Sequence, residues 1–262
     1  MKVTVADSPK LLGRLAAKEA ADIISAAIRE KGSARIVLST GASQFDTLAA
    51  LVEEKVDWTK VEMFHLDEYV NLPETHPASF RKYLKERFTS RVPLKAAHFV
   101  DGTPEGIAAL TDELRRAPID LGLIGIGENG HIAFNDPPAD FDTDAAYIVV
   151  SLDERCRRQQ VGEGWFASVS EVPAQAVSMT VREIMKCERI ISCVPYAVKA
   201  DAVEKTLMNP LTNKIPATML KEHERFSLYL DKDSAAKVTV DGAAKFNECL
   251  ESWEIYEEKE NS

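Results

Sequence analysis

What most restricts the fold of this chain is a series of short, continuous apolar runs set apart by stretches of helical periodicity. The runs are Arg35 to Ser39, Val61 to Leu66, Leu121 to Ile126, Ile148 to Leu152, Ala176 to Met179, Arg189 to Val194 and Phe226 to Leu230. Runs this short, without alternation of polar and apolar residues, suit strands buried on both faces. Joining such strands through helices requires crossover connections, so the expected fold class is α/β with a mostly parallel sheet. Ahead of the first run, Ser8 to Glu30 carries Leu11, Leu12, Leu15, Ala16, Ala20, Ile23, Ile24 and Ile28 at helical spacing. Ser8-Pro9 is its expected start. No repeat, linker or shift in composition divides the chain, so residues 1–262 are read as one domain. Pro137 to Asp144 reads as a loop, and the acidic end from Glu254 to Ser262 as a fraying tail.

Composition excludes several classes of partner. A formal net charge of -10 with no clustered Lys and Arg argues against a nucleic-acid surface. No apolar run approaches the roughly 20 residues that a bilayer span needs, which argues against membrane insertion. Cys156, Cys187, Cys193 and Cys249 lack metal-ligand spacing and no secretory leader precedes them. Reduced thiols in a cytoplasmic protein are expected, with Cys187 and Cys193 packed as small hydrophobes. His65, His76, His98 and His223 are scattered without a clear ligand set, so neither a metal nor another cofactor is expected.

Ligands of open α/β sheets bind beyond the carboxyl ends of the strands, so the segments directly after the apolar runs carry most functional information. The first is Ser39-Thr40-Gly41-Ala42-Ser43-Gln44, followed by a helical pattern to about Glu54. Small residues let backbone N–H groups approach an anion, and a helix start favours phosphate there. Without a Gly-Lys-Ser/Thr ending or a G-x-G-x-x-G, a phosphomonoester fits better than a nucleotide. A plain strand-to-helix turn with Ser43 as N-cap would read the same way, and for this motif taken alone it is the commoner case.

The second segment is His65-Leu66-Asp67-Glu68-Tyr69. A partly desolvated carboxylate at a sheet mouth suits a general base, and Asp67 is chosen over Glu68. An isolated Asp-Glu pair is otherwise usually a solvated turn. The third segment, Gly125-Ile126-Gly127-Glu128-Asn129-Gly130-His131-Ile132-Ala133-Phe134-Asn135-Asp136, is the densest. Its glycines permit a sharp turn, and Asn129, His131 and Asp136 converge if the loop folds back. A histidine with a neighbouring carboxylate suits proton transfer near neutral pH, whereas a lone histidine is more often structural.

Asp67-Glu68-Tyr69 together with Gly127 to Asn135 resembles the glucosamine-6-phosphate deaminase/isomerase family, and the similarity runs in order from Arg35 through Lys199 to about Leu230. The resemblance implies a Rossmann-like, mostly parallel open sheet with helices on both faces and the active site at the strand carboxyl ends. It implies that Asp67 moves the proton from C2 to C1 of a 2-amino-2-deoxy-hexose 6-phosphate, and that His131 opens the pyranose ring. Asp136 stands where the family usually has Glu, one methylene longer, and Asn129 where it has Asp or Asn. Thr40, Gly41, Ala42, Ser43 and Gln44 correspond to the loop around substrate and phosphate, and Lys199 to a phosphate-binding lysine at a helix start. The family's phosphate-binding Arg falls near Gln160, which leaves Arg155, Arg157 or Arg158 to supply that charge. Residues that receive an allosteric N-acetyl sugar phosphate in some members are replaced near Ala146 and Ile148, so such activation is not expected. Both monomers and hexamers are consistent with the family, so a homo-oligomer stays open.

Two rival readings remain. A 6-phosphogluconolactonase shares a Gly-rich loop followed by His but needs an activated water instead of a C2 base. A non-catalytic sugar-phosphate sensor would usually carry a DNA-binding helix-turn-helix, for which the chain has no spare length. Ammonia release separates both from a deaminase, whereas the choice between glucosamine and galactosamine is not legible.

Overall fold

The computed structural model describes residues 1–162, 164–248 and 250–258, without the side chains of Arg155 and Gln159. Its strands are β1 (Lys2–Ala6), β2 (Ala34–Leu38), β3 (Val61–His65), β4 (Asp67–Tyr69), β5 (Ala96–His98), β6 (Leu121–Leu123), β7 (Tyr147–Ser151), β8 (Gln175–Met179), β9 (Ile190–Val194), β10 (Phe226–Asp231) and β11 (Ser252–Tyr256). Between them lie α1 (Pro9–Lys31), α2 (Phe45–Leu51), α3 (Phe80–Leu84), α4 (Pro104–Arg115), α5 (Glu154–Gly162), α6 (Val181–Ile184), α7 (Ala200–Leu207) and α8 (Val240–Ala244). An eight-stranded sheet runs β11-β1-β10-β9-β6-β2-β3-β5, with parallel pairing throughout.

The expected class is observed, and its local causes are visible. Ser8 caps α1, its side chain accepting from the Leu11 N–H at 3.2 Å. Gly32, at φ 80°, ends the helix with its N–H on the Ile28 carbonyl. Every residue of β2 is buried. Ile36 and Leu38 pack with Leu12, Ala16 and Ile24 of α1 on one face, while Val37 joins the core on the other. That two-sided burial is why the run reads as continuous apolar sequence. β2 has β3 on one side and β6 on the other, with later strands continuing outward from β6. This reversal of strand order opens a crevice at the carboxyl ends.

Three sequence expectations need correction. First, the runs Ile148 to Leu152 and Ala176 to Met179 do form strands, yet they leave the main sheet and build a smaller one, β4-β8-β7. Its pairs are antiparallel. In β7 buried Tyr147 is followed by half-exposed and exposed positions, the mark of a strand covered on one face only. Second, part of the supposed tail is structured: Ser252–Tyr256 pairs parallel with β1, while 259–262 lie outside the described residues. The charge of Glu254 hides an edge strand that needs an apolar side on one face only. Third, α2 begins at Phe45 after a 3-10 turn over Ala42–Gln44, so Ser43 is no N-cap.

Cys187 and Cys193 are buried, and burial pushes both thiols up to about 12. Cys156 is buried as well, and Cys249 lies outside the described residues. Among the described residues no helix is long and apolar enough to cross a membrane.

Candidate active site

The crevice at the switch in strand order is a cleft of about 300 Å³. Its walls come from the loops after β2, β6 and β9, the start of β4 just after β3, and α5: Thr40 to Ser43, Asp67, Gly125 to Glu128 with His131, Tyr196, Val198 and Lys199, and Gln160. All of these but α5 meet because they follow parallel strands of one sheet, and α5 is brought over them from the end of β7 in the smaller sheet.

Strand geometry sets Asp67 and Glu68 apart, since adjacent residues point to opposite faces. Glu68 turns inward with no exposure. Its carboxylate accepts from the Arg81 N–H at 2.8 Å, the Tyr69 N–H at 2.9 Å, Ser79 Oγ at 3.0 Å, the Phe80 N–H at 3.2 Å and Arg81 Nε at 3.2 Å. It anchors the start of α3. Asp67 faces the cleft while only 6% exposed. Burial, and then the negative charge of Glu68, push its carboxyl up to about 8.

The loop after β6 folds back as expected. The Gly127 N–H donates to the His131 carbonyl and the Gly130 N–H to the Gly127 carbonyl, each at 2.9 Å. A Cβ on Gly127 would lie 2.2 Å from His131 Nε2, so the imidazole stands directly on a position that only glycine leaves open. Asn129 binds behind it: Oδ1 accepts from the His131 N–H and Nδ2 donates to Asp136 Oδ1, both at 3.0 Å. His131 Nδ1 is 3.1 Å from Asp136 Oδ1. The nitrogen lacks the alignment of a full hydrogen bond, but the separation is that of an ion pair, and for charged groups distance is what matters most. Burial would raise the Asp136 carboxyl. The contact and charge of His131, then Asn129 and the Cys156 thiol, outweigh burial and hold it below its ordinary value. Asn135 fastens the loop to β8, donating to the Met179 carbonyl at 2.8 Å and to Ser178 Oγ at 3.2 Å.

Thr40, Gly41, Ala42 and Ser43 line the cleft, as does Lys199 just ahead of α7. Gln44 does not. It is 2% exposed and its amide donates to the Cys193 carbonyl at 3.1 Å, tying the loop to β9. Arg158 points to solvent and pairs with Glu154 one helical turn away. The side chain of Arg155 lies outside the described residues, and Arg157 is not part of the cleft wall among the described residues. The face of α5 that meets the cleft instead carries Gln160, whose Oε1 accepts from the Tyr69 hydroxyl at 2.6 Å. Sequence marked Gln160 only as standing where the family has a basic residue, and did not single out the apolar wall of Phe80, Phe134, Trp165 and Val198. These residues come from α3, the loop after β6, the segment after α5 and the loop after β9, and periodicity does not encode how such segments meet.

One acidic group with histidine does assemble: Glu62, His98 and Glu113 offer ligand atoms within 4.8 Å of one another. Glu62 is already paired with Lys95 at 2.8 Å, Arg116 at 3.1 Å and Arg35 at 3.5 Å. A metal ion would have to displace these cations, and Glu62 stands at the amino end of β3, away from the cleft.

The family model for glucosamine-6-phosphate isomerases/6-phosphogluconolactonase matches residues 7–228. A glucosamine-6-phosphate deaminase of Staphylococcus epidermidis is 36% identical over 222 residues, covering 79% of this chain and 89% of that protein. One from a Thermoanaerobacter species is 32% identical over 232 residues, covering 84% and 90%. Among solved structures, a monomeric glucosamine-6-phosphate deaminase superposes with a TM-score of 0.83 at 27% identity, covering 91% of this chain and all of that one (100%). The 6-phosphogluconolactonase of Trypanosoma brucei superposes at 0.75 with 19% identity over 91% and 98%, a likeness of fold alone.

Proposed function

Since this chain belongs to the family of glucosamine-6-phosphate isomerases and 6-phosphogluconolactonases, we propose that it works on the deaminase side of that family. It is an enzyme that converts a 2-amino-2-deoxy-hexose 6-phosphate, glucosamine 6-phosphate first among them, and water into a ketohexose 6-phosphate and ammonia. The observation that carries this reading is Asp67, a desolvated carboxylate pushed up to about 8 on the wall of the cleft that also holds His131. A base of raised basicity and a separate imidazole are what an aldose-ketose proton shift requires.

His131 takes the proton from the C1 hydroxyl and returns it to the ring oxygen, opening the pyranose. Asn129 and Asp136 hold the imidazole for this step from behind. Asp67 then removes the proton at C2 and delivers it to C1, while O1 gains one proton as the nitrogen gives one up. The positive charge of the substrate's ammonium favours the ionised carboxylate beforehand. The resulting C2 imine takes up water and expels ammonia. Lys199 and the backbone of Thr40 to Ser43 hold the phosphate, and binding energy from that remote group orients the carbons that react.

The test is direct. Purified protein is given hexosamine 6-phosphates and, separately, a 6-phosphogluconolactone. Ammonia and ketose in equal amounts from an amino sugar are the expected result. Lactone hydrolysis without ammonia would assign the cleft to the other branch of the family.

A further inference from the structure

Glu128 stands out among the cleft residues because no role above uses it. It lines the cleft, and it is half-buried. Among the described residues no hydrogen bond or ion pair reaches its carboxylate. It occupies the first corner of the turn closed by the Gly130 N–H on the Gly127 carbonyl. Asn129, the other corner, points inward to Asp136 and the His131 backbone, so the two corner side chains divide between support and cleft. The charged side chains among the described lining residues are Asp67, Glu128, Lys199 and, when protonated, His131.

A carboxylate that lines the cleft with no hydrogen bond or ion pair among the described residues is open to a cationic group of a ligand. It would also repel the phosphate of a purely anionic substrate. An amino-sugar phosphate is different, since it carries an ammonium at C2 as well as the phosphate. Glu128 shares its loop with His131, whose ring rests on Gly127 beside it. The ammonium is the one cationic group that such a substrate offers to a carboxylate lining the cleft.

We infer that Glu128 is a specificity-determining residue that pairs with the C2 ammonium of the substrate and selects amino sugars over sugar phosphates with an uncharged C2. This rests on the reading of the cleft as that of a deaminase. Asp67 is left free to act as base while Glu128 carries the electrostatic recognition.

Equilibrium binding in a background without turnover separates the inference from the reaction. In an Asp67→Asn protein, the dissociation constants of glucosamine 6-phosphate and 2-deoxyglucose 6-phosphate are measured by calorimetry, with and without Glu128→Gln. The added substitution should weaken the amino sugar about fivefold and leave the deoxy sugar within about twofold, a change at the upper end for one partly exposed charge pair. With Asp67 intact, Glu128→Gln should raise KM for glucosamine 6-phosphate by a similar factor with kcat nearly unchanged, and Glu128→Asp should recover part of it. Equal effects on the two ligands, or none on either, would overturn the role of Glu128. Absence of ammonia release by the unmodified enzyme would instead overturn the reaction, and the binding ratio would still decide whether Glu128 reads an amine.

Discussion

Replacing Asp67 with Asn should inactivate the protein and stabilise it at the same time. The carboxyl is 6% exposed and is pushed from an ordinary 3.8 up to about 8 by burial and by Glu68. A carboxyl raised in this way favours the folded state fully below its unfolded value and loses that advantage as pH rises toward the folded one, because only the unfolded chain ionises freely in between. From 3.8 to pH 7 is about three decades of proton activity at about 1.4 kcal/mol each, so the penalty reaches roughly 4 kcal/mol as a ceiling. Water entering the cleft reduces it, and a gain of about 2 kcal/mol at pH 7.5 is a realistic expectation for Asn, which stays neutral. The assay is denaturant unfolding of both proteins between pH 4.5 and 8.5, with ammonia release measured in parallel. The two stabilities should nearly coincide at the acid end and separate steadily with rising pH, while turnover falls at least about a hundredfold. Parallel stability curves over that range would refute the desolvation argument, and retained turnover would refute the base.

His65 makes the opposite demand. Burial, then the charge of Arg81, lower it to about 3. Stability should therefore fall as pH drops from about 6.5 toward 3, by about 2 kcal/mol at pH 5, and His65→Leu should flatten that limb in the same unfolding series. Asp136→Asn removes a negative charge 3.1 Å from the His131 ring, so the pH–rate profile with cyclic substrate should shift. Asp136→Glu should keep the wild-type profile; identical profiles for all three proteins would remove Asp136 from the proton relay. Gly127→Ala sets a Cβ 2.2 Å from His131 Nε2. It should cost more than about a hundredfold in kcat/KM, with the melting temperature moving by only a few degrees; near-normal activity would show that the imidazole stands elsewhere during turnover.

The cleft was only partly legible along the chain. Residues following a buried strand were readable, since β2, β3 and β6 announce themselves by continuous apolar runs and the loops after them carry Thr40 to Ser43, Asp67 and His131. The inward-turned members of the same motifs were not. Gln44 looks like a loop residue yet clamps β9, and Glu68 resembles a second base yet anchors α3. Arg158 carried the charge that phosphate binding seemed to need and points to solvent, while neutral Gln160, two residues further along α5, meets the Tyr69 hydroxyl. An exposed and a cleft-facing residue on a short polar helix have the same local sequence, and only docking tells them apart.

The sequence alone determined what depends on near neighbours along the chain: α1 with its Ser8 cap, the continuous apolar runs of the main sheet, and the sharp turn of the glycine loop before His131. Tertiary structure decided whatever depends on what lies across a gap. It moved β7 and β8 into a separate antiparallel sheet, paired Ser252–Tyr256 with β1 and made Asp67 a carboxyl near 8. Periodicity and turn chemistry act over a few residues, whereas pairing partners, burial and charge proximity are set by segments that meet only after the chain has folded.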